Sequence, residues 1–202
     1  MNKYFVTGIG TGIGKTLVSA ILTEKLKADY WKPIQSGDLD TSDSITIDRL
    51  ITNTQTVIHP ESYRLTQPLS PHLSARLDGV HIDLNRINMP LTDNNLIIEG
   101  AGGLMVPLNE NELIVDLIKK LEVEVILVSQ NYLGSINHTL LSVSLLKQYQ
   151  IPIKGIIFNG DENKETERYI QQYSQVKALG HVPQLSHIDQ DRVTIAGDYI
   201  SL

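Results

Sequence analysis

The chain has 202 residues, 41% hydrophobic and 20% charged, with a net charge of −6. That mixture suits one globular α/β domain and argues against disorder, and an acidic balance without a Lys/Arg cluster gives nucleic acid no basic face to grip. There is no cysteine, which excludes disulfides, iron–sulfur ligation and thiol catalysis and fits a reducing compartment.

Residues 1–7 lack the apolar core of a secretory signal. No apolar run approaches the ~18 residues of a membrane span. The expected location is therefore cytoplasmic. Tyr4-Phe5-Val6 reads as a first strand entering a Gly-rich turn. Residues 15–27 predict a helix whose apolar face is Leu17, Ala20, Ile21, Leu22 and Leu26. Further strands are expected at Tyr30-Trp31, residues 96–98, 125–128 and 153–158. Helical stretches are expected near 44–52, 70–77, 113–121, 137–148 and 165–173. Strands alternating with helices imply a parallel sheet covered on both faces, and the continuous apolar runs at 125–128 and 153–158 suit doubly buried strands. Residues 53–95 carry Pro60, Pro68, Pro71 and Pro90 and read as an elaborated connection rather than a second domain. Ligands of such sheets gather at the carboxyl ends of the strands.

Gly8-Ile9-Gly10-Thr11-Gly12-Ile13-Gly14-Lys15-Thr16 follows the first strand and opens a helix. Glycines let successive N–H groups turn inward, the helix N-terminus adds positive potential, Lys15 can reach β/γ-phosphates and the Thr16 hydroxyl can ligate Mg²⁺. The strict Gly-x₄-Gly-Lys-Ser/Thr spacing would place glycine at Ile9, so the loop is a longer variant beginning at Gly8. The plain alternative is a strand-to-helix turn without a ligand. A dinucleotide fingerprint fails at Ile13.

A phosphate loop usually shares its metal with a carboxylate at a strand end. Leu96-Ile97-Ile98-Glu99 supplies one, with Glu where Asp is usual, and runs into Gly100-Ala101-Gly102-Gly103. Asp43 in Thr41-Ser42-Asp43-Ser44 reads equally as a second carboxylate or as a helix cap. Lys32 before Pro33 is held extended at a strand end, where it can offset negative charge developing in phosphoryl transfer. Phe158-Asn159-Gly160 offers an amide to an adenine edge, or a simple turn. The guanine-reading motif is missing, since Asn163-Lys164 is followed by Glu165-Thr166. Leu133-Gly134-Ser135-Ile136-Asn137-His138 opens a helix whose free N–H groups can receive an anion. The six histidines show no metal-ligand spacing. Together these residues read as an ATP-dependent enzyme of P-loop NTPase type.

The set resembles the dethiobiotin synthetase family over nearly the whole chain. The marks are Val6-Thr7-Gly8 with Gly14-Lys15-Thr16, Lys32-Pro33 with Ser36-Gly37, Ser42-Asp43, Pro68-Leu69-Ser70-Pro71-His72, residues 99–103, Leu133-Gly134 with Ile136-Asn137-His138, Asn159, and Gly180 with Pro183. The resemblance implies the substrates 7,8-diaminononanoate, CO₂ and MgATP. One amine captures CO₂ as a carbamate, the carbamate oxygen attacks the γ-phosphate, and the second amine displaces phosphate and closes a ureido ring.

By the same resemblance Lys32 and Lys15 are catalytic, and Ser36 and Thr11 touch substrate. Thr16, Asp43 and Glu99 hold Mg²⁺. Gly12, Ile13, Gly14, Lys15, Thr16 and Leu17 cradle phosphate, with Glu99, Gly100, Ala101 and Gly102 beside them. Asn159, Gly160, Pro183, Gln184 and Leu185 attend the base. Gly134, Ser135, Ile136 and Asn137 receive the substrate carboxylate from the other subunit of a homodimer. The chain departs from the family at Gly10 and Gly12, where acidic or polar residues are common, and at Gln190, where some members carry Glu. The rival reading, a partitioning-type ATPase switch with a protein partner, expects a signature lysine where this chain has Gly10. An amidotransferase reading would need a nucleophilic cysteine.

Overall fold

A computed structural model describes residues 1–202. In chain order its elements are β1 (Lys3–Gly8), α1 (Lys15–Leu26), β2 (Asp29–Trp31), β3 (Ile34–Ser36), α2 (Asp43–Leu50), β4 (Ile58–His59), β5 (Tyr63–Leu65) and α3 (Pro71–Leu77), then β6 (Leu96–Gly103), α4 (Ile114–Leu121), β7 (Glu124–Gln130), α5 (Ser135–Gln148), β8 (Ile153–Gly160), α6 (Lys164–Ser174), β9 (Ala178–Pro183) and α7 (Gln190–Ala196). Seven strands pair in the order β4-β2-β6-β1-β7-β8-β9, and every pairing is parallel. The remaining two, β3 and β5, form a separate parallel ribbon. The expected single α/β domain with a covered parallel sheet is what the chain forms.

Period-two alternation assigns each strand residue to one face. Along β7, Ile126 and Val128 join a core built with Val18, Ile21 and Leu22 of α1 and Val193 of α7. Val125 joins the opposite core with Ile114, Val115 and Ile118 of α4, and Leu127 packs with Val143 of α5 and Ile170 of α6. Both faces are apolar because both are roofed by helices. No helix is long and apolar enough to cross a membrane.

All six expected helices form. The structure adds α7, β9 and the short strands β3, β4 and β5. The glycines of residues 100–103 extend β6 instead of forming a turn, and Gly8 pairs with Gly103 beyond a register shift. Residues 53–95 stay within the domain, folding into β4, β5, α3 and a 3₁₀ turn.

One buried group anchors that connection. The Asp29 carboxylate accepts hydrogen bonds from Val57 N (3.0 Å), His59 Nε2 (3.1 Å), Thr92 Oγ1 (2.6 Å) and Asn94 Nδ2 (3.2 Å). Burial pushes this carboxyl up, yet the hydrogen bonds outweigh it and hold it below the ordinary aspartate value. Its contribution to stability is complete above the ordinary aspartate range and is lost as pH falls through the lowered folded value. Asp29→Ala is expected to cost about 2 kcal/mol at neutral pH. Urea unfolding of both proteins should show that difference shrinking as the solution is acidified toward the folded value.

Candidate active site

The loop between β1 and α1 takes its shape from two glycines with left-handed backbones, Gly12 (φ 74°) and Gly14 (φ 91°). Gly14 caps α1, so the first N–H groups of the helix open toward the loop. The side chain of Asn159, at the end of β8, lies directly beneath. Its Nδ2 donates to Ile13 O at 3.0 Å, and a Cβ on Gly14 would sit 2.2 Å from that nitrogen. Lys15 Nζ donates to Gly10 O at 2.8 Å. Burial drives the Lys15 ammonium down to about 8. Glu99 opposes this, Lys32 adds repulsion, and Asp43 opposes it more weakly. An anion in the cradle would favour its charged form.

Beside the loop, β2 and β6 end next to each other and deliver the charged centre. Lys32 Nζ lies 2.5 Å from Asp43 Oδ2 and 3.2 Å from Glu99 Oε1, and donates to Gly100 O at 3.1 Å. Lys32 is 4% exposed and Glu99 1%. Burial disfavours the Lys32 charge, but Glu99 and then Asp43 outweigh it and hold the ammonium above the ordinary lysine value. Burial likewise pushes Asp43 up, and its ion pair with Lys32 brings it below the usual range. The Thr16 hydroxyl lies 2.9 Å from Glu99 Oε1 and 3.1 Å from Asp43 Oδ1. Tyr30 OH donates to Glu99 Oε2 at 3.0 Å and fixes the carboxylate plane.

Asp43 is the first residue of α2, and the cap is Ser42, whose side chain accepts from Ile45 N. The cap reading of Asp43 is thereby corrected, and its carboxylate is free for the charged centre. The three converging oxygens come from one hydroxyl and two carboxylates. No group of three or more His, Cys, Asp or Glu side chains is placed to hold a metal alone. Such a hard, incomplete oxygen set fits Mg²⁺, which keeps waters and phosphate oxygens in its shell.

A cleft of ≈ 710 Å³ opens over these groups. Of the expected residues it is lined by Thr11, Gly12, Gly14, Lys15, Thr16, Leu17, Lys32, Ser36, Asp43, Glu99, Ala101 and Gly102. Ile13, Gly100 and Asn159 lie behind this surface, and Gly160, Pro183, Gln184 and Leu185 do not line it. Gly134, Ser135 and Ile136 border a different pocket of ≈ 440 Å³, and the neighbouring Asn137 is exposed. Within one chain the turn at Gly134 therefore does not share the main cleft. Sequence reasoning assigned no role to Gln35, Asp38 or residues 68–71, which also line it. The only available signal was the Pro68-Leu69-Ser70-Pro71 motif, one of the marks of the family resemblance.

A protein-family model described as an AAA domain matches residues 2–192. The ATP-dependent dethiobiotin synthetase BioD of Cytophaga hutchinsonii is 53% identical over 96% of this chain and 94% of its own. That of Christiangramia forsetii is 52% identical over 93% and 90%, and that of Agrobacterium fabrum 47% over 92% and 88%. The chain belongs to the dethiobiotin synthetase family. Among solved structures, the cell-division ATPase MinD of Pyrococcus furiosus matches with a TM-score of 0.66 at 14% identity, covering 98% of both chains. A ParA-family ATPase of Chlorobium tepidum gives 0.58 at 17% identity, covering 98% of this chain and 91% of its own. At those identities the likeness is one of fold. The likeness to these two ATPases is confined to the fold, while the relatives of high identity are ATP-dependent dethiobiotin synthetases. The expected enzyme class holds and the switch reading is not favoured.

Proposed function

We propose that the chain is a dethiobiotin synthetase that converts 7,8-diaminononanoate, CO₂ and ATP to dethiobiotin, ADP and phosphate. The observation that carries this reading is the buried Lys32 ammonium, held between Asp43 and Glu99 at the mouth of the phosphate loop. A permanently charged lysine there steadies both a carbamate and the phosphoryl group it attacks. Thr16, Asp43 and Glu99 would hold Mg²⁺, which would offset the charge of the phosphates. Lys15 leaves the Gly10 carbonyl for the β/γ-phosphates. Asn159 has its Nδ2 engaged with Ile13, so its Oδ1 accepts from the adenine amino group, with Gly160, Pro183, Gln184 and Leu185 around the base. Thr11 and Ser36 touch the diamine end of the substrate.

The separate pocket at Gly134 is consistent with a homodimer in which Gly134, Ser135, Ile136 and Asn137 of one subunit receive the carboxylate of substrate bound in its partner. The Gly134 N-cap opens the N-terminus of a 14-residue helix toward that anion. Turnover is placed in the cytoplasm.

The test is ADP formation with bicarbonate, with and without 7,8-diaminononanoate, and mass spectrometry for a cyclic urea. ADP release should require the diamine and match the urea formed. Equal ATP hydrolysis in its absence, with no urea, would overturn the reading in favour of a partner-regulated ATPase.

A further inference from the structure

Five charged side chains line the main cleft: Lys15, Lys32, Asp38, Asp43 and Glu99. Lys32 is paired with both Asp43 and Glu99, and Lys15 belongs to the loop between β1 and α1. Asp38 stands apart. Its carboxylate makes no hydrogen bond or ion pair within the chain, and although it begins a 3₁₀ turn it does not cap it. Arg64, which touches the same loop, is committed to Glu61 and to Leu39 O.

The backbone at Asp38 is in the left-handed region (φ 51°, ψ 38°), where a non-glycine residue costs energy. The surroundings impose it. Gln35 bridges Gly37 O and Asp43 N, Thr41 N donates to Asp38 O, and Gly37 lies so close to Pro68 that a Cβ would sit 2.5 Å from it. The loop is thus clamped on both sides of a residue whose exposed carboxylate has no partner in the chain and borders the cleft.

We propose that Asp38 is a specificity-determining residue that pairs with the ammonium of the substrate's second amine and so selects a diamine. This rests on the diamine reading above. The cations of the cleft, Lys15 and Lys32, stand at the end proposed for the phosphates and carbamate, and the substrate's second amine brings a positive charge of its own. Asp38 is the uncommitted anion in the cleft.

Asn and Gly both tolerate the left-handed backbone, so Asp38→Asn and Asp38→Gly remove the charge and keep the loop. Steady-state kinetics of diamine-dependent ADP formation should show the KM for 7,8-diaminononanoate raised about tenfold in both variants, the size of one partly screened ion pair. The KM for ATP and the Mg²⁺ requirement should not change, and Asp38→Glu should recover most of the loss. An unchanged diamine KM in both variants overturns the inference and leaves the synthetase reading intact. Equal rises for ATP or Mg²⁺ overturn it by moving Asp38 to the nucleotide side. A wild-type protein without diamine-dependent ADP release removes the synthetase reading itself, whatever the variants do.

Discussion

Lys32→Ala is expected to lower diamine-dependent ADP formation by about a hundred- to a thousandfold, the usual effect of deleting one preorganised charge from a transition-state site. The same change removes the cation that lies between the buried Glu99 carboxylate and the half-buried Asp43 carboxylate. Losing one partner of such a cluster costs about 3 kcal/mol or more, so the variant should also melt earlier than wild type. Mg²⁺ should restore part of that stability by occupying the space between Asp43 and Glu99, and the Mg²⁺-dependent rise in Tm should be larger in the variant. Lys32→Met keeps the length of the side chain and separates charge from packing. If Lys32→Met retains near-normal turnover, Lys32 leaves the catalytic set. If Lys32→Ala gains no extra stability from Mg²⁺, the metal does not lie between these carboxylates.

Gly14→Ala is expected to weaken ATP binding by about a hundredfold, corresponding to about 3 kcal/mol. Two costs combine. Alanine at φ 91° is strained, and its Cβ would sit 2.2 Å from Asn159 Nδ2. The amide must move, and with it the hydrogen bond that supports the Ile13 carbonyl. Gly12 is the internal control: its φ is 74°, yet a Cβ there meets nothing within 4 Å. Gly12→Ala should pay only for strain and bind ATP markedly better than Gly14→Ala. Calorimetric titration with a non-hydrolysable ATP analogue makes the comparison, and equal losses in the two variants would sink the argument from the Asn159 contact.

The candidate site residues that the fold brings together were legible in the sequence because each sits at a boundary that leaves a pattern. Lys15 and Thr16 follow glycines, Lys32 precedes a proline, and Glu99 ends an apolar run. Asp43 was ambiguous because Ser42 and Asp43 are both good caps, and only the contacts show that Ser42 takes the role. The strand character of residues 100–103 was invisible: glycine is depleted in strands, and β6 runs on through them, past a left-handed Gly102 (φ 65°), because β1 lies alongside. β9, with Gly180, His181 and Pro183, and the short β3 and β5 owe their existence to neighbours rather than to their own periodicity. Asp38 gave no signal, since what marks it is a left-handed backbone and an exposed carboxylate on the cleft wall.

The two-stranded ribbon of β3 and β5 has a consequence for how this enzyme type can diversify. Lys32, Glu99 and the phosphate loop stand on the central sheet, where a shift in any strand would disturb its neighbours on both sides. Ile34, Gln35, Ser36, Asp38 and residues 68–71 border the same cleft from the ribbon and its flanking loops, outside that sheet. On the proposed function, reaction type and substrate choice lie on separate parts of the chain. A lineage can redraw the outer wall, in length or in charge, while the phosphate-transferring floor stays as it is.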